Sequence, residues 1–301
     1  MRPERRALEA AGRTARRAAG FTRIELLAVL CGVCLLGLAA RGVLAESRQD
    51  VGSAVCLSNL RTLMQGWLMY ATDQEGWFPP NPTDGNRTPG HNWCIGQAGP
   101  YSDSQFNPDF LTDPAQAMLV PYTGPKEEIY RCGADTRTGA YQGADPARQG
   151  SVVPAARSYA MNQAVGTNPY SKAGKIAVDG AWLDNNHNHT VGRTWRTYGK
   201  LADLTAPTPS RLLVLWDEDA YSINDASFGF GMVRPEWIDW PSTRHDFGGT
   251  VAYADGSAEL HHWIARSTGV INGKVSRRSV PDSPDHAWLS ERISARIAPA
   301  E

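Results

Sequence analysis

The chain has 301 residues, 42% hydrophobic and 20% charged, with a formal net charge of −1. That length holds one large domain or two small ones, and 20 prolines and 29 glycines indicate many turns and loops. No basic excess argues for nucleic acid as a partner.

The charge is unevenly spread. Residues 1–20 carry six arginines and two glutamates, four net positive charges, so the remaining 281 residues carry −1 − 4 = −5. An apolar run, Leu26 to Ala40, follows the basic leader, which is the layout of an exported or membrane-inserted protein. Glu25 departs from that layout. An ionised group at the mouth of a membrane segment costs roughly 2.5–3.5 kcal/mol and calls for a partner. Cleavage after Gly20 would supply one, the new amine at Phe21, one helical turn from Glu25 in the same chain or in a neighbour. A self-assembling membrane helix follows from that pairing.

Gly20-Phe21-Thr22-Arg23-Ile24-Glu25-Leu26-Leu27 resembles the cleavage and methylation signal of type IV prepilins and type II secretion pseudopilins. The resemblance implies that a prepilin peptidase cuts after Gly20 and methylates Phe21, and that Glu25 guides subunits into a filament. Arg23 departs from the family, which carries an apolar residue there, and bears on packing more than on processing. The competing reading is an ordinary secretory signal, with Val43-Leu44-Ala45 as its small-residue cleavage site. It leaves Glu25 unexplained. Cys31-x-x-Cys34 falls within the apolar run, where small packing residues are expected rather than redox or zinc chemistry.

One long helix is expected from Ile24 to about Thr72. Its first part is apolar all round, near the ~20 residues a bilayer requires with Arg41 snorkelling. In its second part Val51, Val55, Leu60, Met64, Trp67, Leu68 and Ala71 recur at three- and four-residue steps and define one buried face. Pro79-Pro80 forbids continuation. The stretches Cys56 to Arg61 and Gly76 to Pro80 resemble the start of the soluble region in a prepilin-associated family defined by a histidine, nine residues and then Asp-Gly.

Residues 80–130 read as loops. His91 and Cys94 have metal-ligand chemistry but no second pair at suitable spacing. Tyr130-Arg131-Cys132-Gly133-Ala134-Asp135 resembles the family's Cys-Pro-x-Asp segment, with Gly133 in place of proline. The resemblance implies a Cys56–Cys132 disulfide, closing a loop of about 75 residues and worth roughly 4 kcal/mol in the chain-entropy model. Cys94–Cys132 is the competing pair.

Arg157 to Asn162 begins a strand, and residues 166–200 form a polar insertion. Within it His187-x-His189 has the spacing of a strand metal pair, but flanking asparagines place it in a solvated loop. Ser210 to Asp217 is the clearest central strand. Asp217, Glu218, Asp219, Asn224 and Asp225 beyond it offer hard oxygen ligands suited to calcium, which major pseudopilins bind in their C-terminal loops. The EF-hand ligand order is absent, and a solvated acidic loop is the alternative.

His245, nine residues and then Asp255-Gly256 complete the motif of the prepilin-associated family. Thr250 to Ala254 and Ser257 to Trp263 read as a hairpin, with Asp255-Gly256 as a two-residue primed turn. A histidine and a carboxylate suggest a general base, but no nucleophile stands in a recognisable context. Asp255 is therefore assigned to the turn, His245 to the hairpin, and the protein is not expected to be an enzyme. Pro284, Trp288, Leu289, Ile293 and Ile297 mark a terminal amphipathic helix.

The expected architecture is α+β and pilin-like. A long N-terminal helix, membrane-spanning in one half and amphipathic in the other, packs on an antiparallel β-sheet with long loops. Residues 1–20 form the leader, 21–45 the methylation motif and transmembrane helix, and 46–301 an extracytoplasmic domain with the motif at 245–256. The expected function is a filament or pseudopilus subunit in the inner membrane, its body in the periplasm or on an exterior filament. Its partners are the prepilin peptidase and other pilin or pseudopilin subunits. The alternatives are an anchored or secreted binding module whose tryptophans stack on sugars, and a hydrolase using His245 and Asp255.

Overall fold

The computed structural model describes residues 23–82, 88–100, 102–270, 273 and 275–298. Gly20 and Phe21 lie outside the described residues, as does the side chain of Glu25. The chain divides into two units, Met1–Ser47 and Arg48–Glu301.

Helix α1 is assigned to Arg23–Asp73. Within the second unit it buries Cys56, Leu60, Leu63, Met64, Trp67 and Ala71. These lie three or four residues apart, the spacing of one helical face. Val55 is 43% exposed, so the buried stripe runs through Cys56 and Leu63 instead. The Trp67 ring stacks on Phe78 at 4.1 Å, tying the helix to the segment that leaves it. The exit is a Schellman-type close. Glu75 turns left-handed (φ 57°), and the Gly76 N–H donates to the Ala71 carbonyl at 2.7 Å.

Five strands form the central sheet: β1 (Tyr159–Asn162), β2 (Leu213–Asp217), β3 (Ser227–Phe228), β4 (Gly248–Tyr253) and β5 (Ala258–His262), in the order β5-β4-β2-β1-β3. All pairs are antiparallel except β1 with β3, which run parallel with Met161 opposite Ser227. Strands β1, β2 and β4 are buried along their whole length, so both sheet faces are covered. On one face Tyr159 reaches the Cys56 carbonyl of α1. On the other, Asn162 Nδ2 donates to the Ile293 carbonyl at 2.9 Å. Ile293 ends helix α2 (Pro284–Ile293), which Ser283 caps by accepting from the His286 N–H at 3.2 Å.

The expected pilin-like architecture is corrected by these features. The sheet is mixed rather than antiparallel, because the two-residue strand β3 joins β1 side by side. The body is mostly short strands and 3-10 turns, as a chain so rich in proline and glycine requires. Among the described residues, no helix is long and apolar enough to cross a membrane. What organises the body is the buried mixed sheet.

The hairpin turn also differs from expectation. The Gly256 N–H donates to the Tyr253 carbonyl and the Tyr253 N–H to the Ser257 carbonyl, both at 2.9 Å. Only Gly256 has positive φ (89°), so the loop holds three residues, a type I turn closed by a left-handed glycine. Asp255 Oδ1 fixes the turn by accepting from the Ser257 N–H and hydroxyl, at 2.9 and 2.6 Å.

Candidate functional site

Three other segments meet α1 at one point. Cys56 comes from the helix, Cys132 from the loop after the 3-10 turn Glu127–Tyr130, Asp217 from the end of β2, and His245 from the approach to β4. Tyr159 and Asp217 are direct cross-strand partners and so share a sheet face, the one covered by α1. Asp246 and Phe247 both have positive φ (49° and 56°), an unusual conformation for such side chains. This left-handed turn brings the His245 N–H onto the Gly248 carbonyl at 3.2 Å. Strain of this kind collects at functional sites. Gly248 is required there: a Cβ would lie 2.7 Å from the His261 carbonyl oxygen and 2.9 Å from that of His245.

The sulfurs of Cys56 and Cys132 stand 2.8 Å apart as free thiols, and Cys132 Sγ lies 3.1 Å from His245 Nε2. Ser53 Oγ, one turn earlier on α1, lies 3.1 Å from His245 Nδ1. Backbone amides also address both sulfurs: Gly133 N–H reaches Cys56 Sγ at 3.1 Å and Ala134 N–H reaches Cys132 Sγ at 3.4 Å. The hydrogen bond from Cys132 outweighs burial and lowers the Cys56 thiol to about 4, while that same contact and burial push Cys132 far up. The short contact therefore favours the thiolate on Cys56 over Cys132. Burial opposes a charged His245, but its contacts with Cys56 and Asp217 outweigh it and raise its pKa.

Asp217 is fully buried and ion-pairs through Oδ1 with Arg244. Its other oxygen, Oδ2, accepts no hydrogen bond and lies 3.9 Å from His245 Nε2. Burial pushes the Asp217 carboxyl up against the pull of Arg244. Arg244 also stands 3.7 Å from Asp135. Asp135 binds Arg137 at 2.7 Å and accepts from the Ser158 hydroxyl at 2.6 Å. Burial raises Asp135, but Arg137 and Arg244 outweigh it and hold the carboxyl at about 2. Beside this network lies a groove of about 790 Å³, bordered by Ala134, Asp135, Arg137, Tyr221 and Arg244.

The structure thus brings Cys56, Cys132, His245 and Asp217 together. Cys94 lies elsewhere in the core, where burial pushes its thiol up to about 12. His245 and Asp255 are separated by β4, whose six residues span ~20 Å. They form no catalytic pair. The calcium candidates do not converge as one set: Asp217 faces Arg244 and His245, whereas Glu218 feels the charges of Asp239 and Asp225. Glu218 accepts from the Ser222 hydroxyl at 2.8 Å, Asp219 from the Tyr221 N–H at 2.9 Å and Asp225 from the Ser227 N–H at 2.8 Å. Asn224 offers its carbonyl to the Ala98 N–H at 2.7 Å. Both ring nitrogens of His189 are engaged, by the Asp179 carbonyl and the Trp195 N–H. His187 packs on Trp182.

None of the ten tryptophans is exposed. The four half-buried ones, Trp77, Trp182, Trp195 and Trp288, each lie under a lysine or arginine. Of these, Trp182 also lines a small cavity with His187, Asn224, Asp225 and Asp239. Sequence reasoning placed Asp135 in the Cys-Pro-x-Asp segment without a role, and missed Ser53 and Arg244. Only the adjacency of Arg244 to the motif histidine, and of Asp135 to Cys132, could have signalled a role at the site. Comparison with known protein families, with curated proteins and with solved structures finds no match.

Proposed function

We propose that the protein is a membrane-held subunit, cleaved after Gly20 by a prepilin peptidase and assembled with like subunits into a pseudopilus or filament. Its supports are the leader signature and one structural observation. Ile24, Leu26, Leu27, Leu30 and Val33 on α1 are each at least 52% exposed. At 100° per residue they cover about half the helix circumference. Removing five such side chains from water stabilises by the order of 10 kcal/mol, so this surface calls for lipid or neighbouring helices. Glu25 would then pair with the freed amine of Phe21 on a neighbouring subunit. The mixed-sheet body would stand in the periplasm or on the outside of the filament.

The test is the N-terminal mass of the mature protein from its native membrane. A chain beginning at methylated Phe21 is the expected result. A chain beginning at Glu46, with the apolar run removed, would sink the reading.

A further inference from the structure

We propose that Cys56, Cys132, His245 and Asp217 form a metal centre for one divalent, thiophilic ion of the zinc class. Three of these ligand atoms, two sulfurs and an imidazole nitrogen, already lie within 4.8 Å of one another, all buried. Asp217 stands just outside that group and shifts toward it to become the fourth ligand. Asp217 is fully buried, its Oδ2 has no hydrogen-bond partner, and that oxygen stands 3.9 Å from His245 Nε2. An orphaned carboxylate oxygen in a protein interior is costly unless something binds it. Two sulfurs, one nitrogen and one oxygen complete a tetrahedral set, and thiolates select zinc over calcium or magnesium.

The surroundings suit a metal better than a bare thiol pair. The Gly133 and Ala134 amides point at the two sulfurs, as donors to thiolates do. With its proton on Nδ1, His245 donates to Ser53 Oγ and leaves the Nε2 lone pair for the ion, the usual outer support of a ligating histidine. The charges close as well. Two thiolates and Asp217 carry −3, a divalent ion leaves −1, and Arg244, ion-paired to Asp217, brings the total to zero. The nearby Asp135–Arg137 pair is neutral by itself. The groove of about 790 Å³ that Ala134, Asp135 and Arg244 border lies beside the centre. With sulfur bonds of ~2.3 Å, a tetrahedral ion holds its sulfurs about 3.7 Å apart. The present 2.8 Å separation therefore opens by about half an ångström at each cysteine on binding. In binding, each cysteine still protonated releases its proton to solvent, and no electron is transferred.

Such a centre would staple α1 to the loop at Cys132 and to the sheet, the same junction a Cys56–Cys132 disulfide would tie. The two are mutually exclusive, which makes the experiment decisive. Full-length protein is purified with a thiol reductant, equilibrated with zinc, dialysed and analysed for metal; the result does not depend on how the N-terminus is processed. The expected outcome is one zinc per chain, with both thiols shielded from alkylation. Cobalt substitution should give thiolate-to-cobalt charge-transfer absorption. Cys132→Ser and His245→Ala should each weaken zinc by more than about ten-fold. Ser53→Ala, which removes no ligand, should weaken it by about 10–100-fold. The wild-type metal content and cobalt spectrum stand even where a variant fails to fold. Wild-type protein that retains no zinc, or a Cys132→Ser variant that retains it unchanged, would overturn the proposal. So would a Cys56–Cys132 disulfide that forms in air while zinc is in excess.

Discussion

The buried imidazole of His286 makes the body acid-labile in a way that can be calculated. His286 lies in the first turn of α2, with its ring stacked on Phe230 at 4.4 Å and near Trp237 at 5.4 Å. Burial lowers its pKa from the ordinary 6.5 to about 4. Between those values the unfolded chain binds a proton that the folded chain refuses, so stability falls as pH falls from 6.5 toward 4. At pH 5 the loss from this one group is about 2 kcal/mol, and below pH 4 it levels at about 3 kcal/mol. A His286→Phe substitution keeps an aromatic ring against Phe230 and removes the titration. Urea unfolding of both proteins at a series of pH values from 7 to 4 isolates the difference, because all other groups titrate alike. The wild type should lose about 2 kcal/mol more than His286→Phe between pH 7 and pH 5. Parallel stability curves would refute the reasoning, since they would mean that the imidazole protonates inside the fold without cost.

Three further outcomes follow from the packing. Asp135→Asn leaves Arg137 and Arg244 facing a neutral amide, and should cost about 2–3 kcal/mol in equilibrium unfolding at pH 7. Its wild-type contribution is full above pH 4 and disappears toward pH 2, so the two proteins should converge in acid; a constant difference would contradict the assignment. Gly248→Ala drives a methyl group onto the carbonyls of His245 and His261, and a loss of about 1–3 kcal/mol should appear as a lowered Tm. Trp67→Ala removes the buried ring stacked on Phe78 and should cost about 3–5 kcal/mol by the same measurement; a loss below 1 kcal/mol would mean that this ring does not tie α1 to the segment leaving it.

The sequence by itself determined the features that local periodicity and local turn chemistry control. The buried face through Leu60, Met64, Trp67 and Ala71 was legible because helical neighbours recur every 3.6 residues. The strand around Val214 and the hairpin around Asp255-Gly256 were legible for the same kind of reason, although the turn needed three residues where two were expected. Other features depend on contacts between distant segments, and only the tertiary structure decided them. The parallel seat of Ser227–Phe228 beside β1 is one, because a two-residue strand carries no pattern of its own. The separation of Asp217 from Glu218 is another: consecutive residues that look like one acidic cluster in the sequence face opposite sides of an extended chain. The site itself is the third. His245 lies 113 residues from Cys132 and 192 from Ser53, and no local rule links them. They meet because α1 covers the sheet face that carries Tyr159 and Asp217, and because a left-handed turn after His245 holds its ring beside the sulfurs.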